Sequence, residues 1–431
     1  MKKAHTAKIS GTQELLPETQ AIFNQLKTKI ATTYQKHGFL NIETPHLERT
    51  EILLAKAGGE TEKQIYKVIK TAETSDESDQ ALRFDHTVPL ARYIVEHESN
   101  LNFPFKVSNL GVNFRGERAQ KGRFREFYQC DIDVIGRNTL SIAYDADIIA
   151  TLLDTFKNFR LKTPVLARIS NRKILTGILE ALNLNNKSKD IYSIIDHAEK
   201  VPPEKTLSSF TEIGLSSKDT DLLLNLINIS GDRTFALEKL TNLNIENETF
   251  KTGLSELNTV LELLEAQGLK ESISADLKIV RGLDYYTGTV FEFILPEYQN
   301  IGSVCGGGRY ENLTSYFSDQ AFPGVGGSIG LTRLFYVLSE NNLLESQVQP
   351  LLDYAIIPVS HQEYAYAASI ANKLIQNNHT TTIVYSDKKL SDKLTYAAKL
   401  AQNAIIIGEA EAKSNQLKVK NLLTGEITDL S

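Results

Sequence analysis

The spacing of hydrophobic and polar residues changes several times along the chain. Between Ile22 and Tyr34 an apolar residue recurs at every fourth position, which places these side chains on one face of a helix that Gly38 ends. From residue 39 to about residue 136, short apolar runs such as IYKVIK, FKVSNLGVNF and FYQCDIDVIG alternate with glycines and charged residues. This pattern is typical of strands in an antiparallel sheet.

A helix is predicted next, at about 141–159, and the strand VLARIS follows it. Between residues 173 and 276 the spacing is helical, and 10 basic side chains stand against 17 acidic ones, a net charge of −7. Strand-like character returns with LKIVRGLDYYTGTVFEFIL, after which glycine-rich segments at 302–308 and 324–330 are predicted to flank a helical stretch. The simplest architecture is an α+β domain whose sheet is interrupted by a helical insertion.

From about residue 350 the chain alternates between strands and helices. YAIIPVS, TTIVY and NAIIIG have the pattern of strands, and helices are predicted over 363–376 and 391–401 between them. Such alternation indicates a small doubly wound α/β domain. The sequence therefore predicts an α+β domain over 1–172 and 277–345, a helical insertion over 173–276, and a C-terminal α/β domain over 350–431.

The composition limits the class of protein. The 431 residues carry a net charge of −6, which argues against a basic nucleic-acid binder or a polybasic membrane anchor. The chain has no apolar run of about 18 residues, so no membrane partner is expected. Its start lacks an apolar signal segment and an Arg-rich amphipathic run, which predicts a cytoplasmic protein.

Several common sites are excluded by their spacing. GGGRYENL lacks the Gly-Lys-Ser/Thr of a P-loop, and neither glycine cluster fits GxGxxG. No histidine pair has metal-site spacing, so His86 and His97 are interpreted as structural or exposed, and no protein metal ligand is predicted. Cys130 and Cys305 are too few for a disulfide framework or a cysteine zinc site. Cys305 either lines a cleft or is a buried, inert thiol, and the second interpretation is favoured.

The segment from Asn113 to Arg125 is basic within this acidic chain. It has five basic side chains and one acidic one, a local charge of +4. Two-residue spacing then places polar groups on one strand face where an ordinary strand would bury hydrophobic ones. These are Arg123, Arg125, Gln129, Asp131 and Asp133, with Phe127 among them. Two interpretations follow from these residues: a site for a polyanion, or a solvated hairpin with cross-strand ion pairs.

A second segment, from Arg281 to Glu292, favours the polyanion. RGLDYYTGTVFE combines an arginine with two adjacent tyrosines, which point to opposite faces of a strand. Arginine suits phosphate oxygens because its guanidinium offers planar, paired donors that stay protonated near neutral pH. The segment is therefore a candidate for contact with a phosphate.

These two segments carry a resemblance to a known family. RGLDYYTGTVFEF resembles the histidine-specific signature of histidyl-tRNA synthetases, and FRGERAQKGRFREFYQCDIDVIG resembles the second motif of class II aminoacyl-tRNA synthetases. Further similar segments follow in the family's order: SGTQELLPET, HGFLNIETPHLE, LRFDHTVPLAR, GGGRYENL and GVGGSIGLTRL. The resemblance implies a class II catalytic domain with an antiparallel sheet flanked by helices, a helical insertion and a C-terminal anticodon-binding domain.

The resemblance also implies a reaction that joins two anions. Histidine is activated when its carboxylate attacks the α-phosphate of ATP, pyrophosphate leaves, and histidine then moves to the 3′ end of tRNA(His). Arg115 and Arg281 match positions that hold the α-phosphate from two sides, and they are the predicted catalytic residues. Arg123 matches the position that contacts the γ-phosphate. Mg²⁺ is implied as an ion that arrives with ATP and bridges its phosphates.

The remaining implied residues recognise adenine and histidine. Glu117 would accept a hydrogen bond from the adenine amino group, with the ring between Phe127 and Arg333. The matches for the α-amino group of histidine are Asp85, Thr87 and Gln129, and those for its imidazole are Asp133, Tyr285 and Tyr286. A pocket that hydrogen-bonds both ring nitrogens would reject isosteres that lack them.

Two implied partners are macromolecules. Gln120 matches a position that approaches the extra 5′ guanosine of tRNA(His), and Pro45 belongs to a motif that forms a homodimer interface. The insertion would approach the acceptor arm of the tRNA. Its net charge of −7 is unexpected there, so either its basic residues cluster on one face or it touches RNA less than in relatives.

The chain departs from the family pattern at a few positions. Thr332 stands where an acidic residue usually precedes the arginine of the third motif, so an acidic partner for Arg333 would have to come from elsewhere. Glu311 and Asn312 replace the usual Asp-Gly after GGRY. Two other functions are compatible with the resemblance: a catalytically silent regulatory subunit in histidine biosynthesis, and a sensor of uncharged tRNA. An intact RGLDYY segment and a C-terminal domain argue against the first, and the chain length argues against the second.

Overall fold

The computed structural model describes residues 6–55, 62–72, 78–118, 122–280, 286–311, 313–344 and 351–430. The chain divides into two compact units, Met1–Gln13 with Leu26–Glu345, and Glu14–Gln25 with Ser346–Ser431. Three residues assigned to the site by resemblance, Gln120, Arg281 and Tyr285, lie outside the described residues. Their predicted roles therefore stay predictions.

The predicted N-terminal helix is α1 (Pro17–Lys36). Its Leu26, Ile30 and Tyr34 side chains are buried, as the four-residue spacing requires. The chain turns after this helix at Gly38, whose φ of +82° lies in the left-handed region that favours glycine. The helix boundaries thus follow from spacing and from one glycine.

The first unit contains most of the strands and helices. Its strands are β1 (Leu40–Ile42), β2 (Leu47–Arg49), β3 (Gln80–Leu82), β4 (Phe105–Phe114), β5 (Glu126–Ile135), β6 (Leu166–Asn171), β7 (Ser230–Gly231), β8 (Ile273–Asp276), β9 (Thr289–Ile294), β10 (Cys305–Tyr310) and β11 (Gly324–Gly330). Its further helices are α2 (Thr50–Leu54), α3 (Thr87–His97), α4 (Ala143–Phe159), α5 (Arg172–Ala181), α6 (Ser188–His197), α7 (Pro203–Glu212), α8 (Ser217–Ile227), α9 (Arg233–Thr241), α10 (Glu248–Ala266) and α11 (Leu331–Glu340). Short 3₁₀ turns lie at Glu62–Gln64, Glu98–Asn100, Asn185–Lys187, Ala198–Lys200, Lys270–Ser272 and Pro296–Ile301.

In the described part of this unit, nine strands form one mixed sheet in the order β1-β4-β5-β11-β10-β9-β6-β8-β7. The pairs from β4 to β6 are antiparallel, as predicted. The pairs β1–β4 and β6–β8 are parallel. Parallel neighbours need a long crossover, and the crossover from β6 to β8 contains helices α5–α10, the predicted helical insertion.

Helix α4 covers one face of this sheet with apolar side chains. Its Leu152 lies against Gly327, and its Phe156 ring packs 5.6 Å from the ring of Phe293 on β9. Ile132 on β5 is fully buried on the same face. The opposite face carries the polar residues of β5 and, at its Ile135 end, an apolar cluster that includes helix α3. The part of this face nearer Phe127 is left for a site.

The second unit holds a five-stranded sheet in the order β13-β12-β14-β15-β16. Its strands are β12 (Leu352–Pro358), β13 (Thr381–Ile383), β14 (Ala401–Ile407), β15 (Lys418–Asn421) and β16 (Ile427–Asp429); its helices are α12 (Tyr364–Gln376), α13 (Leu390–Ala397) and α14 (Glu409–Ser414), with a 3₁₀ turn at His361–Glu363. Strands β13, β12 and β14 are parallel, as the alternating pattern predicted. Helix α14 and strand β16 were missed because neither buries a regular apolar face.

Three local predictions were wrong. In IYKVIK only Lys67 pairs, as an isolated bridge to Ala81. Among the described residues of the run 277–295, the strand is limited to Thr289–Ile294, while Leu277, Ile279 and Val280 are buried without strand pairing. Residues 311 and 313–323 form no helix, and the helix α11 follows the second glycine segment instead. In these last two cases the apolar residues are largely buried without the predicted backbone conformation, whereas Ile69 of IYKVIK is exposed.

Both cysteines are buried and free, and burial raises the pKa of each thiol. No helix in the described residues is long and apolar enough to cross a membrane.

A buried ion pair joins β10 to the start of α4. The Arg309 guanidinium donates to the Asp145 carboxylate at 2.7–3.1 Å and to the carbonyl oxygens of Leu140 and Ser141, and the Asp145 side chain is fully buried. Arg309→Met is expected to lower the free energy of unfolding by about 3–5 kcal/mol, because it leaves a buried carboxylate without its partner. Denaturant unfolding measures this loss.

A double variant and a surface control separate the ion pair from other effects. Arg309→Met combined with Asp145→Leu is expected to recover most of the loss, since no charge is then left buried. Lys413→Ala, which removes an exposed pair with Glu409, should leave the unfolding curve unchanged. If the double variant were as unstable as the single one, stability would depend on the packing of the two side chains and not on their charges.

Candidate active site

The hairpin formed by β4 and β5 sets the positions of the polar site residues. Ten residue pairs stay in register from Phe105 opposite Ile135 to Phe114 opposite Glu126. Because side chains alternate across a strand, Phe127, Gln129 and the two aspartates of β5 lie on the face opposite α4. The polar face that the sequence predicted is thus the face opposite α4, and helix α3 packs against its Ile135 end.

A cavity of about 300 Å³, here called the hairpin cavity, opens at the end of this hairpin. It is lined by Arg115, Glu117, Gly122, Arg123, Phe124, Phe127, Tyr128, Gln129, Gly330 and Arg333. Five of the six residues that the resemblance assigned to ATP are among them, and the sixth, Arg281, lies outside the described residues. They come from β5, from the chain on both sides of the hairpin tip and from the start of α11, so the fold brings together positions more than 200 residues apart in the sequence.

The cationic side chains of the hairpin cavity are held by specific contacts. The Arg115 guanidinium lies 5.0 Å from the centre of the Phe127 ring, and its Nε donates to the backbone oxygen of Phe84 at 3.1 Å. Arg123 forms an ion pair with Glu117 at 3.5 Å. Three guanidinium groups and one carboxylate therefore surround a space that suits an anion with several charged oxygens.

Thr332 and Arg333 show how the departure in the third motif is accommodated. The Thr332 hydroxyl accepts a hydrogen bond from the backbone N–H of Tyr128 at 2.7 Å, which ties α11 to β5. Arg333 donates from Nη2 to the backbone oxygen of Ile301 at 3.1 Å. A carbonyl oxygen thus orients this guanidinium at the mouth of the hairpin cavity.

A second cavity of about 390 Å³, here called the sheet cavity, adjoins the first. Its lining comprises Arg115, Gln129, Ile279, Tyr286, Val290, Phe291, Glu292, Ser303, Val304, Cys305, Gly306, Gly307, Ser328, Gly330 and Arg333. Arg115, Gln129, Gly330 and Arg333 line both cavities. A ligand in one cavity would therefore lie next to a ligand in the other, with Arg115 between them. Cys305 lines this cavity, and its side chain is also buried. Its position therefore has features of both interpretations given above, a residue that lines a cleft and a buried thiol.

Glycines make room for the two polar groups beside the sheet cavity. A Cβ atom at Gly326 would lie 2.0 Å from Oδ1 of Asp133, and one at Gly308 would lie 2.8 Å from the ring of Tyr286. Any side chain at either position would displace the group that lies there. This explains why glycine, a residue that strands usually avoid, stands at these two positions.

The Asp133 carboxylate and the Tyr286 hydroxyl keep distinct hydrogen-bonding roles. The Tyr310 hydroxyl donates to Oδ1 of Asp133 at 2.7 Å. Removal from water, followed by the nearby charge of Asp133, raises the pKa of Tyr286 above its usual range. Tyr286 therefore stays a protonated donor, and Asp133 stays an acceptor next to it.

The start of α3 lies beside this pair of cavities. Asp85 accepts a hydrogen bond from the backbone N–H of Val88 at 3.0 Å, and Thr87 is the first residue of the helix. The contact of Arg115 with the Phe84 carbonyl connects this helix start to the hairpin. His86, which stands between Asp85 and Thr87 in the sequence, is buried. Desolvation, followed by the charge of Arg83, lowers the pKa of His86 to about 3, so its ring is neutral.

Sequence reasoning assigned no role to Asp131, Ser328, Asn113 or Tyr310. Ser328 on β11 bridges Gln129 and Asp131 by hydrogen bonds at 2.9 and 2.5 Å, and Asn113 donates to Gln129 at 2.9 Å. Two signals were available: Asp131 has the strand parity of Gln129 and Asp133, and Ser328 is the one polar residue in the strand GVGGSIG. The pairing of β5 with β11, which joins them, could not be read from spacing.

Comparison with known proteins agrees with this architecture. Residues 353–431 match the model of an anticodon binding domain, and residues 11–334 match a family model described as histidyl-tRNA synthetase. A large mixed sheet flanked by helices, followed by a separate anticodon-binding domain, is the architecture of a class II aminoacyl-tRNA synthetase. The chain belongs to the histidyl-tRNA synthetase family.

Individual relatives cover nearly the whole chain. A histidine–tRNA ligase of Clostridium tetani is 44% identical over 98% of this chain and 95% of its own length. One of Clostridium acetobutylicum is 42% identical over 97% of this chain and 96% of its own length. The crystal structure of histidyl-tRNA synthetase from Nostoc sp. PCC 7120 matches with a TM-score of 0.91 at 35% identity, covering 100% of this chain and 97% of that chain.

Proposed function

We propose that the chain is a histidine–tRNA ligase that forms histidyl-adenylate and pyrophosphate from histidine and ATP and then transfers histidine to the 3′ end of tRNA(His). One observation carries the proposal: the cationic hairpin cavity and the sheet cavity merge at Arg115. An anionic nucleotide and an amino acid can therefore lie side by side. The names of the relatives speak against the alternative of a silent regulatory subunit.

ATP occupies the hairpin cavity in this proposal. Arg115 holds the α-phosphate, Arg123 binds the γ-phosphate after leaving Glu117, and Glu117 is then free to accept from the adenine amino group. Phe127 stacks on the adenine ring, with Arg333 on its other side. The proposal for ATP is supported because these side chains all line one cavity. The guanidinium groups among them are therefore already positioned for negatively charged phosphates.

Histidine occupies the sheet cavity. Asp133 accepts from one imidazole nitrogen and Tyr286 donates to the other, because Asp133 already accepts from Tyr310 and Tyr286 keeps its phenolic proton. Gln129, with Asp85 and Thr87 at the start of α3, holds the α-amino group. The carboxylate then points toward Arg115, where the two substrates meet.

The chemical step places a carboxylate oxygen on the α-phosphorus while the bond to the pyrophosphate oxygen breaks. Negative charge grows on the phosphorus oxygens and on the leaving group. Arg115 at the junction stabilises that charge without any rearrangement, which is the largest contribution that a preorganised site makes. Arg281 is proposed as the second arginine on the same phosphate from the resemblance of its segment.

Mg²⁺ is proposed to arrive with ATP. Magnesium bound to nucleotide phosphates keeps several waters and needs few protein ligands. Bound with ATP, the ion would supply neutralisation of phosphate charge, while the arginines of the hairpin cavity align the phosphates.

The tRNA contacts are assigned by segment. The C-terminal domain over 350–431 binds the anticodon, the insertion over 173–276 approaches the acceptor arm, and the catalytic domain comprises 1–172 and 277–345. Gln120 reads the extra 5′ guanosine. Charging of tRNA(His) transcripts with and without that guanosine tests this assignment. Equal charging of both would contradict it, and no charging of either would remove the ligase function. A cytoplasmic location fits these substrates.

A homodimer is proposed through the segment that contains Pro45. Leu40 on the edge strand β1 and Leu47 on β2 are 64% and 47% exposed, which is unusual for leucines on short strands. Leu40→Asp is expected to shift the chain from dimer to monomer, because a carboxylate would be buried in the interface. Sedimentation velocity measures the change, with Leu423→Asp, at a leucine 76% exposed, as the control. A monomeric unmodified chain would refute the dimer.

A further inference from the structure

A chain of side-chain hydrogen bonds crosses three neighbouring strands beneath the sheet cavity. Asn113 on β4 donates from Nδ2 to Oε1 of Gln129 at 2.9 Å, and Gln129 donates from Nε2 to the hydroxyl of Ser328 at 2.9 Å. Ser328 on β11 donates in turn to Oδ1 of Asp131 at 2.5 Å. The Gln129 amide is therefore fixed at both ends, and Asp131 is the last acceptor.

Asp131 lies in a buried position among like charges. Its side chain is 7% exposed, and its partners in strand register are Asn109 on β4 and Ser328 on β11. The charged groups that act on it are the carboxylates Asp85 and Asp133 and the guanidinium groups of Arg83 and Arg115. The neutral titratable groups close enough to sense its charge are Tyr34, Cys130, Tyr286 and Cys305.

These surroundings favour the uncharged form of Asp131 while the site is empty. Desolvation raises the pKa of Asp131 to about 8; the charges of Asp133 and Asp85 also raise it, and the hydrogen bond from Ser328 and the charge of Arg115 lower it. Near neutral pH the carboxyl group therefore holds its proton. A cation placed next to it would reverse this preference.

We propose that Asp131 is a positioning residue of the amino-acid site, which holds the Gln129 amide through Ser328 and releases a proton when the ammonium group of the amino acid binds. The proposal rests on the placement of histidine in the sheet cavity given above and adds a group that this placement does not use. Asp85 and Asp133 are already available for the ammonium and imidazole groups. Asp131 is then the third carboxylate, whose charge develops only when a ligand cation compensates it.

Calorimetry counts the released protons directly. Histidine is titrated into the full-length chain at pH 7 in buffers of different ionisation enthalpy, and the slope of the observed enthalpy gives the proton count. The unmodified chain is expected to release close to one proton per histidine. Its affinity for histidine should rise by up to about tenfold per pH unit between pH 6 and 8. A slope of zero in the unmodified chain would overturn the proposal.

The variant Asp131→Asn tests whether Asp131 is the source of the released proton. Asparagine keeps an oxygen that accepts from Ser328 but cannot ionise. The variant is expected to release no proton beyond that from the titration of free histidine, and to bind histidine about 10-fold more weakly at pH 8. The affinity of this variant for histidine should no longer rise between pH 6 and 8 as the affinity of the unmodified chain does. The same proton count in both proteins would mean that the proton comes from another group.

A ligand without the ammonium group provides a second test. Imidazolepropionate keeps the imidazole ring and the carboxylate of histidine and lacks its amine. No proton release is expected with this compound, because nothing then compensates the charge of Asp131. Proton release equal to that with histidine would assign the proton to the imidazole side of the site and would contradict the proposal.

Two further variants separate this inference from the proposed function. Ser328→Ala is expected to weaken histidine binding while proton release persists, since it cuts the link to Gln129 and leaves Asp131 in place; unchanged affinity would refute the positioning role. Gln129→Ala tests the site itself: unchanged affinity there would refute the placement of histidine. If Gln129→Ala weakens binding and Asp131→Asn changes neither affinity nor proton count, only the inference fails. Thermal unfolding confirms that each variant folds.

Discussion

Replacing Arg115 with alanine is expected to slow histidine-dependent exchange of pyrophosphate into ATP by about 10²- to 10³-fold. Arg115 lines both cavities, and it is the group that we propose lies where the carboxylate and the α-phosphate meet. Its charge therefore acts most strongly on the transition state, and the loss should fall mainly on kcat. Steady-state exchange kinetics with both substrates varied separate kcat from the two KM values.

A matched control removes an arginine far from the cavities. Arg160 at the end of α4 is exposed and has a φ of +55°, a backbone conformation that asparagine adopts readily. Arg160→Asn should leave exchange unchanged. If Arg115→Ala raised only the KM for ATP, the arginine would bind the ground state and would not stabilise the reaction.

Asp133→Asn is expected to raise the KM for histidine by about 10- to 100-fold with little change in the KM for ATP. The amide group replaces one carboxylate oxygen by a donor, which would face either the Tyr310 hydroxyl or a ring N–H that itself donates. The charged hydrogen bond to the imidazole is lost in both orientations. Asp190→Asn, at an exposed position on α6, is the control. An equal rise in both KM values would indicate a general distortion of the sheet.

The sequence was most informative where residues close in the chain act together. The hairpin residues Arg115, Glu117, Arg123 and Phe127 follow from one segment, because two antiparallel strands joined by a short connection must face each other. The helix α1 and the alternating C-terminal strands likewise follow from local spacing. The family resemblance placed Arg333 with them, and the structure brings it to the same cavity.

The network around Asp131 could not be predicted, for a physical reason. Ser328 is 197 residues from Asp131, and their contact depends on the register of β5 against β11. A shift of that register by one residue would turn Ser328 to the α4 side of the sheet. The role of the glycines in the strands could not be predicted either. It depends on which side chain occupies the space beside each glycine, here Asp133 or Tyr286.

Net charge was informative about function only when it was counted separately for each segment of the chain. The chain as a whole is acidic at −6, and the insertion over 173–276 accounts for more than this total with −7. The hairpin with +4 shows that a nucleotide site needs local charge and not a basic protein. Several basic residues of the insertion are already used in internal ion pairs, such as Lys173 with Glu256 and Arg233 with Glu265.

Exchange of labelled pyrophosphate into ATP, catalysed by the purified chain, tests the central claim most directly. With Mg²⁺ and ATP present, exchange is predicted to require histidine and to stay at background with the other amino acids and with histidine omitted. Exchange that is absent with histidine, or that another amino acid supports equally well, would contradict the function assigned to the two cavities.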